Sequence, residues 1–253
     1  MKLSEKQQQW LFIAIAVLLG LSVVGYRAYT ALLPAASTYI AEKIPESVYQ
    51  TIGESSLESF DESEFLPSKL AAEQQESVRT SYQELLKNLS LSIEDYPLHF
   101  RYWDDQMNAF ALMDGSIIVT DSLVAKLETE QQLMAVLLHE VGHVQHNHLM
   151  ENTIRVSLFY ITMSLMFGDV GVVSDLLIEG STLGLNLSYS RDFEKEADAY
   201  AAQKLEELYG SNEAMIEALD ILYEQKDLET FHWASTHPTF AERKTSIENL
   251  AND

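Results

Sequence analysis

The chain has 253 residues, 47% of them hydrophobic, which is enough for one domain with its own core plus appendages. Sixteen Lys and Arg face 39 Asp and Glu for a net charge of -23, so polyanions are repelled and nucleic acid is excluded as an expected partner. With no cysteine, disulfide frameworks, thiolate metal sites and thiol nucleophiles are excluded as well.

From Trp10 to Tyr26 the run WLFIAIAVLLGLSVVGY carries no charge for 17 residues, the short end of the roughly 17–25 that span a bilayer as a helix. Lys2 and Lys6 precede it, which predicts a cytoplasmic N-terminus and an exported remainder. The run is longer than the h-region of about 7–15 residues in a cleaved signal peptide, and no Ala-x-Ala follows closely, so an uncleaved anchor over residues 1–33 is expected. Charge divides at the same place, with +2 through residue 33 and 13 basic against 38 acidic residues beyond it. Residues 34–68 contain Pro34, Pro45, Pro67 and the acidic, Ser-rich GESSLESFDESEF, the composition of a connector with one short helix.

The folded domain is expected over residues 69–253. Val78, Tyr82, Leu85, Leu86 and Leu89 recur at helical spacing within residues 69–91. LHFRYW (98–103), AFALM (109–113) and SIIVT (116–120) then read as strands, with Asp114-Gly115 as a hairpin signal, and together predict a small antiparallel sheet. Residues 131–150 are predicted helical on the spacing of Leu133, Val136, Leu137, Val141 and Val144. The apolar run VSLFYITMSLMF (156–167) has 12 residues, too few to span, and predicts a core helix or membrane-touching hairpin. Further helices are expected over residues 191–209, from Ser211 to about 226, and over 238–250.

HEVGHVQHNH (139–148) places four of the seven histidines within ten residues. Residues four apart share a helix face, so His139 and His143 can bind one zinc ion, and Glu140 beside them is placed to act as general base on a water. The plain alternative is a solvated histidine-rich helix. Catalytic zinc takes three protein ligands and leaves a position open. A histidine six residues past His143 is ruled out because Leu149 stands there. SRDFEKEADAYA (190–201) offers Glu194 and Asp198, again four apart: Glu194 as third ligand, and Asp198 to hold a ligand histidine through its other ring nitrogen. Glu196 competes from another face, with a solvated charge as its plain reading. His146 and His148 are expected in exposed or packing roles.

These motifs, HEVGH, then SRDFEKEAD, then THPTFAER (236–243), preceded by MNAFALMDGSIIVTDSLV, resemble the zinc endopeptidases of metallopeptidase family forty-eight, the HtpX-like and CAAX-prenyl-protease-like gluzincins, over about residues 70–250. The resemblance implies an α+β, zincin-like fold: a mostly helical body with a small antiparallel sheet, here behind the one N-terminal transmembrane helix expected from the apolar run. It implies one Zn2+ on His139, His143 and Glu194, Glu140 as base, and Asp198 behind the ligands. It further implies His237 as oxyanion donor or as a ligand masking zinc at rest, Arg243 of the same motif as a catalytic residue and alternative stabiliser of the oxyanion, and Asn108, Ala109 and Phe110 on the strand that pairs with substrate backbone. A single span sets the chain apart from the many-span prenyl-processing branch, so prenyl-protein processing is not implied. The expected protein is a single-pass enzyme of the bacterial inner membrane with its catalytic domain in the periplasm, acting on unfolded or misfolded envelope proteins. A non-catalytic or self-masked zinc module of chaperone type is the competing reading, and a purely structural tether is a third that leaves Glu140 unexplained.

Overall fold

The computed structural model describes residues 4–167, 189–223, 237 and 240–250. In chain order its helices are α1 (Glu5–Arg27), α2 (Leu33–Ala41), α3 (Glu46–Ser63), α4 (Ala72–Asn88), α5 (Asp121–Lys126), α6 (Glu130–Gln145), α7 (His148–Phe167), α8 (Arg191–Tyr209), α9 (Glu213–Tyr223) and α10 (Phe240–Leu250). The strands are β1 (Leu66–Pro67), β2 (Leu98–Tyr102), β3 (Ala109–Ala111) and β4 (Ile117–Thr120).

Helix α1 starts at a capping box in which Ser4 and Gln7 satisfy each other's free amides. It runs through a π-helical turn, Ala28–Leu32, into α2, giving one 37-residue helix long and apolar enough to cross a membrane. None of its α1 residues is buried. Helix α2 packs on α7, where Thr38 Oγ1 donates to Glu151 Oε2 at 2.9 Å.

Residues 34–68, expected as a connector with one short helix, instead carry α2 and the 18-residue α3. The reason lies in its few apolar residues: Phe60 of α3 and Phe65 just beyond it enter a cluster with Trp103, Phe110, Leu112 and Ile118 on one face of the sheet. Phe60 and Phe110 meet edge to face at 6.1 Å. Arg101 seals the rim with a bidentate pair to Asp61 at 2.6 and 2.8 Å.

The sheet has the order β1-β2-β4-β3 and is mixed. β1 pairs with β2 and β3 with β4 antiparallel, but β2 and β4 run parallel, which corrects the expected all-antiparallel sheet. The β3–β4 hairpin is present as expected, yet it docks with β4 rather than β3 against β2. Ile117, Ile118, Val119 and Thr120 are all buried, and a strand with both faces covered belongs in the centre of a sheet. That leaves β3 on the edge.

Below the sheet, Tyr82, Leu85 and Leu86 of α4, Met134, Leu137, Leu138 and Val141 of α6, Ala201 and Leu205 of α8, Leu219 and Leu222 of α9 and Ile247 of α10 form the main core. Helix α6 lies in its middle, buried on all sides from Gln132 to His143.

Helix α3 presses on the hairpin at Gly53, where an added Cβ would lie 2.4 Å from Asp114 Cγ and 2.5 Å from its Cβ. Asp114 cannot swing away freely, because its carboxylate accepts from Ser116 N and Oγ at 3.1 and 2.9 Å. Gly53→Ala in a helix interior would ordinarily gain about 1 kcal/mol of propensity. Here overpacking of about 1–3 kcal/mol outweighs it, so a net fall in Tm is expected on thermal unfolding; an unchanged or raised Tm would show that α3 is free to shift.

Candidate metal centre

Helix α6 begins at Thr129, whose side chain caps Gln132 N while Gln132 returns the bond, and it carries His139, Glu140 and His143 into the core. Helix α8 crosses it closely at Gly142: a Cβ there would sit 3.1 Å from Ala197 Cα. The glycine of HEVGH thus sets the helix–helix distance that lets α8 deliver Glu194 and Asp198. Ser190 caps the start of α8 by accepting from Phe193 N. His237 is held through its carbonyl, which accepts from the Tyr223 hydroxyl at the end of α9. Arg243 projects from the first turn of α10.

These groups converge. One ligand atom from each of His139, His143, Glu194 and His237 lies within 4.8 Å of all the others, and the four residues are buried. Between His139 Nε2 and His143 Nε2 the distance is 3.0 Å, and between His139 Nε2 and His237 Nδ1 it is 3.2 Å. Glu194 Oε1 stands 3.1 Å from His237 Nδ1 and 3.4 Å from His143 Nε2. A tetrahedral ion with bonds of about 2.0–2.1 Å separates its ligands by roughly 3.4 Å, so the donors fit one metal ion in both spacing and chemistry.

Behind them, Asp198 Oδ1 lies 2.9 Å from His139 Nδ1, the arrangement that orients a ligand imidazole. Arg243 ties the carboxylates together. Its Nε and Nη2 donate to Asp198 at 2.8 and 2.6 Å, and its Nη1 pairs with Glu194 Oε2 at 2.9 Å.

The electrostatics favour the ligand-ready forms of His143 and Glu194. Burial pushes His143 well below the ordinary histidine value, keeping it neutral. Burial would raise Glu194, but His237 and Arg243 outweigh it and hold the carboxyl well below its usual range. Asp198 likewise is held at about 2, against burial, by Arg243 and His139. Glu140 goes the other way: burial raises it more than His237 and His139 lower it. Neither of its oxygens makes a hydrogen bond among the described residues, and His237 Nε2 is 3.5 Å from Oε1. A buried acid so placed is equipped to take a proton from a molecule entering the site. For His237, burial lowers the imidazole but Glu194 and Glu140 raise it further, to a net upward shift.

Ala109 and Phe110 open edge strand β3, and Asn108 directly precedes it. The Asn108 amide is buried with no hydrogen-bond partner on either atom among the described residues, whereas the Phe110 ring faces the aromatic cluster and belongs to the core. His146 is exposed as expected. His148, expected in an exposed or packing role, is buried against His143, with Nδ1 to Nδ1 at 3.0 Å, and burial holds it at about 4. The break that brings it there is at Asn147, left-handed at φ 54°, which ends α6 inside the single helix expected over residues 131–150. Glu196, expected as a rival ligand or a solvated charge, meets His148 Nε2 at 3.0 Å. Pro238 of the THPTFAER motif lies outside the described residues.

Comparison with known proteins gives a family model, described as Peptidase family M48, that matches residues 72–251. The beta-barrel assembly-enhancing protease of Yersinia pestis is 29% identical over 172 residues, covering 62% of this chain and 35% of that protein. Metalloprotease YcaL of Escherichia coli (strain K12) is 25% identical over 174 residues, 66% of this chain and 67% of the relative. Mitochondrial metalloendopeptidase OMA1 of Arabidopsis thaliana is 35% identical over 92 residues, 36% of this chain and 19% of that one. The chain therefore spans about a third of the first relative and two thirds of the second.

Proposed function

The chain belongs to peptidase family M48, and on that basis we propose that it is a membrane-anchored zinc endopeptidase whose resting site is closed by its own His237. The single observation that carries this is the buried set of four donors beside a glutamate whose carboxylate makes no hydrogen bond among the described residues.

In this reading His139, His143 and Glu194 would hold the ion, and His237, whose Nδ1 lies 3.2 Å from His139 Nε2 and 3.1 Å from Glu194 Oε1, would mask it at rest. When bound, zinc supplies a Lewis acid that lowers the pKa of water to about 7 and polarises a peptide carbonyl. Glu140 accepts the proton of the attacking water and passes it to the leaving amine. Arg243, whose guanidinium is committed to Asp198 and Glu194, acts as a positioning residue rather than on the oxyanion itself. The β3 edge pairs with an extended substrate backbone through main-chain bonds, which tolerates many sequences, and the Asn108 amide offers it a further donor and acceptor.

The substrates that fit this strand-pairing mode are unfolded or misfolded polypeptides of the bacterial envelope, with the domain on the periplasmic side of the inner membrane. The apolar N-terminal helix, the two lysines before it and the bacterial relatives support that placement.

The full-length protein in detergent should cleave casein, lose that activity to a zinc chelator and regain it with one equivalent of zinc. His237→Ala should then cleave faster than wild type at equal zinc content. A variant that is loaded but inactive would make His237 a catalytic group, and a wild-type protein that binds zinc but never cleaves would favour the non-catalytic, chaperone-like reading.

A further inference from the structure

We propose that His148 and Glu196 form a relay that supports the ligand His143, fixing the ring tautomer that presents Nε2 to the metal. The inference rests on the assignment of His143 as a ligand.

In an unbroken helix, residues five apart point about 140° away from each other at about 100° per residue, so His143 and His148 would not meet. The left-handed Asn147 breaks the helix and folds the start of α7 back, so that the two buried rings face each other through their Nδ1 atoms at 3.0 Å. Two such nitrogens share a single proton. On His143 the other nitrogen, Nε2, lies among the ligand atoms, 3.0 Å from His139 Nε2 and 3.4 Å from Glu194 Oε1. A ligating nitrogen offers its lone pair, so a neutral His143 keeps its proton on Nδ1 and donates it to His148 Nδ1. The proton of His148 is then on Nε2, 3.0 Å from Glu196 Oε2, which accepts it.

Each ring is also clamped in plane. His143 stacks on Tyr189 at 3.9 Å and 20°, and His148 stacks on Phe193 at 4.3 Å and 19°. His146 lies nearly parallel to His148, at 5.3 Å and 15°. The two metal-binding histidines of α6 therefore both end on a carboxylate: His139 directly on Asp198 at 2.9 Å, His143 through an interposed imidazole on Glu196. The difference matters because Asp198 is buried whereas the Glu196 side chain is 58% exposed, so this arm of the support reaches solvent. A rival use exists for the same atoms, since His146, His148 and Glu196 have donors within 4.8 Å of one another. A second ion would need the His148 Nε2 lone pair, which the relay requires to carry a proton.

The test measures zinc affinity of the full-length protein in detergent by competition with a chromophoric chelator, with thermal unfolding of the metal-free form as a separate readout. His148→Asn keeps an acceptor near the Nδ1 position and should bind zinc within about threefold of wild type. His148→Leu removes it and should lose about 10–100-fold, the range for lost support behind a metal ligand. Glu196→Ala, on the surface, should lose several-fold with an unchanged metal-free Tm. Equal affinities for Leu and Asn at position 148, alongside no effect of Glu196→Ala, would overturn the relay. So would two zinc ions per chain, the second lost in His146→Ala. His143→Ala keeps the two hypotheses apart: unaltered affinity in that variant would sink the ligand assignment itself, whereas a loss there with none in His148→Leu would sink only the relay.

Discussion

Glu140→Gln is expected to lower turnover on an unfolded protein by about 10²–10⁴, the usual cost of losing a general base, while leaving zinc content at the wild-type value. The substitution keeps the side-chain volume and removes only the ability to take a proton. Because Glu140 is fully buried and its carboxylate makes no hydrogen bond among the described residues, the wild-type fold bears the cost of desolvating it. The Gln variant should therefore unfold at the same temperature as wild type or higher. Casein hydrolysis, metal analysis and a melting curve on one preparation separate the outcomes: wild-type turnover in the variant would remove Glu140 from the reaction, and lost zinc would make its role structural.

The second large effect is expected at Arg243. It is almost fully buried and answers two buried carboxylates at once, bidentate to Asp198 and paired with Glu194. Arg243→Met keeps most of the volume but strands both charges, which typically costs about 3–5 kcal/mol and in a domain of this size roughly 10 °C in Tm. The pH dependence carries the same signature. In the metal-free protein the Asp198 carboxyl is held at about 2 against an ordinary value of 3.8. A depressed carboxylate stabilises the fold fully above its ordinary value and loses that contribution as pH falls toward 2. In the Met variant the pull of Arg243 is gone, burial dominates, and the loss of stability on acidification should begin at higher pH. Superimposable acid-unfolding curves for the two metal-free proteins would show that Asp198 is held by something other than Arg243.

How much of this could be read from the chain depended on whether the information was local. His139 with His143, and Glu194 with Asp198, are four-residue spacings on single helices, and helical geometry alone puts each pair on one face. Their meeting across Gly142 needed two helices to cross at close range, and only the order of motifs hinted at it. His148 was out of reach because its position depends on one backbone reversal at Asn147 that no periodicity announces. His237 follows α9 across residues that spacing cannot bridge, so only resemblance brought it forward. Residues 46–65 look like solvated connector because charge and serine dominate the average, while Phe60 and Phe65 do the packing. The sheet's parallel pair was hidden for a related reason: a hairpin signal says which strands are joined, not which of them meets a third. The unbroken apolar run of Ile117, Ile118 and Val119, as opposed to alternation, was the available clue that β4 is central.

The helix that begins at Glu5 does not end where its uncharged stretch does. It continues 15 residues past Tyr26 to Ala41, roughly 22 Å at 1.5 Å per residue, and its last two turns are fastened to α7, the helix that follows directly from the metal-bearing one. Were the apolar stretch seated in a bilayer, as proposed, this continuous helix would carry the domain as a shaft carries the blade of an oar. Under the proposed function, that helix would set the height of the β3 edge above the lipid, and a polypeptide substrate would reach the edge only when held out from the membrane at the matching distance.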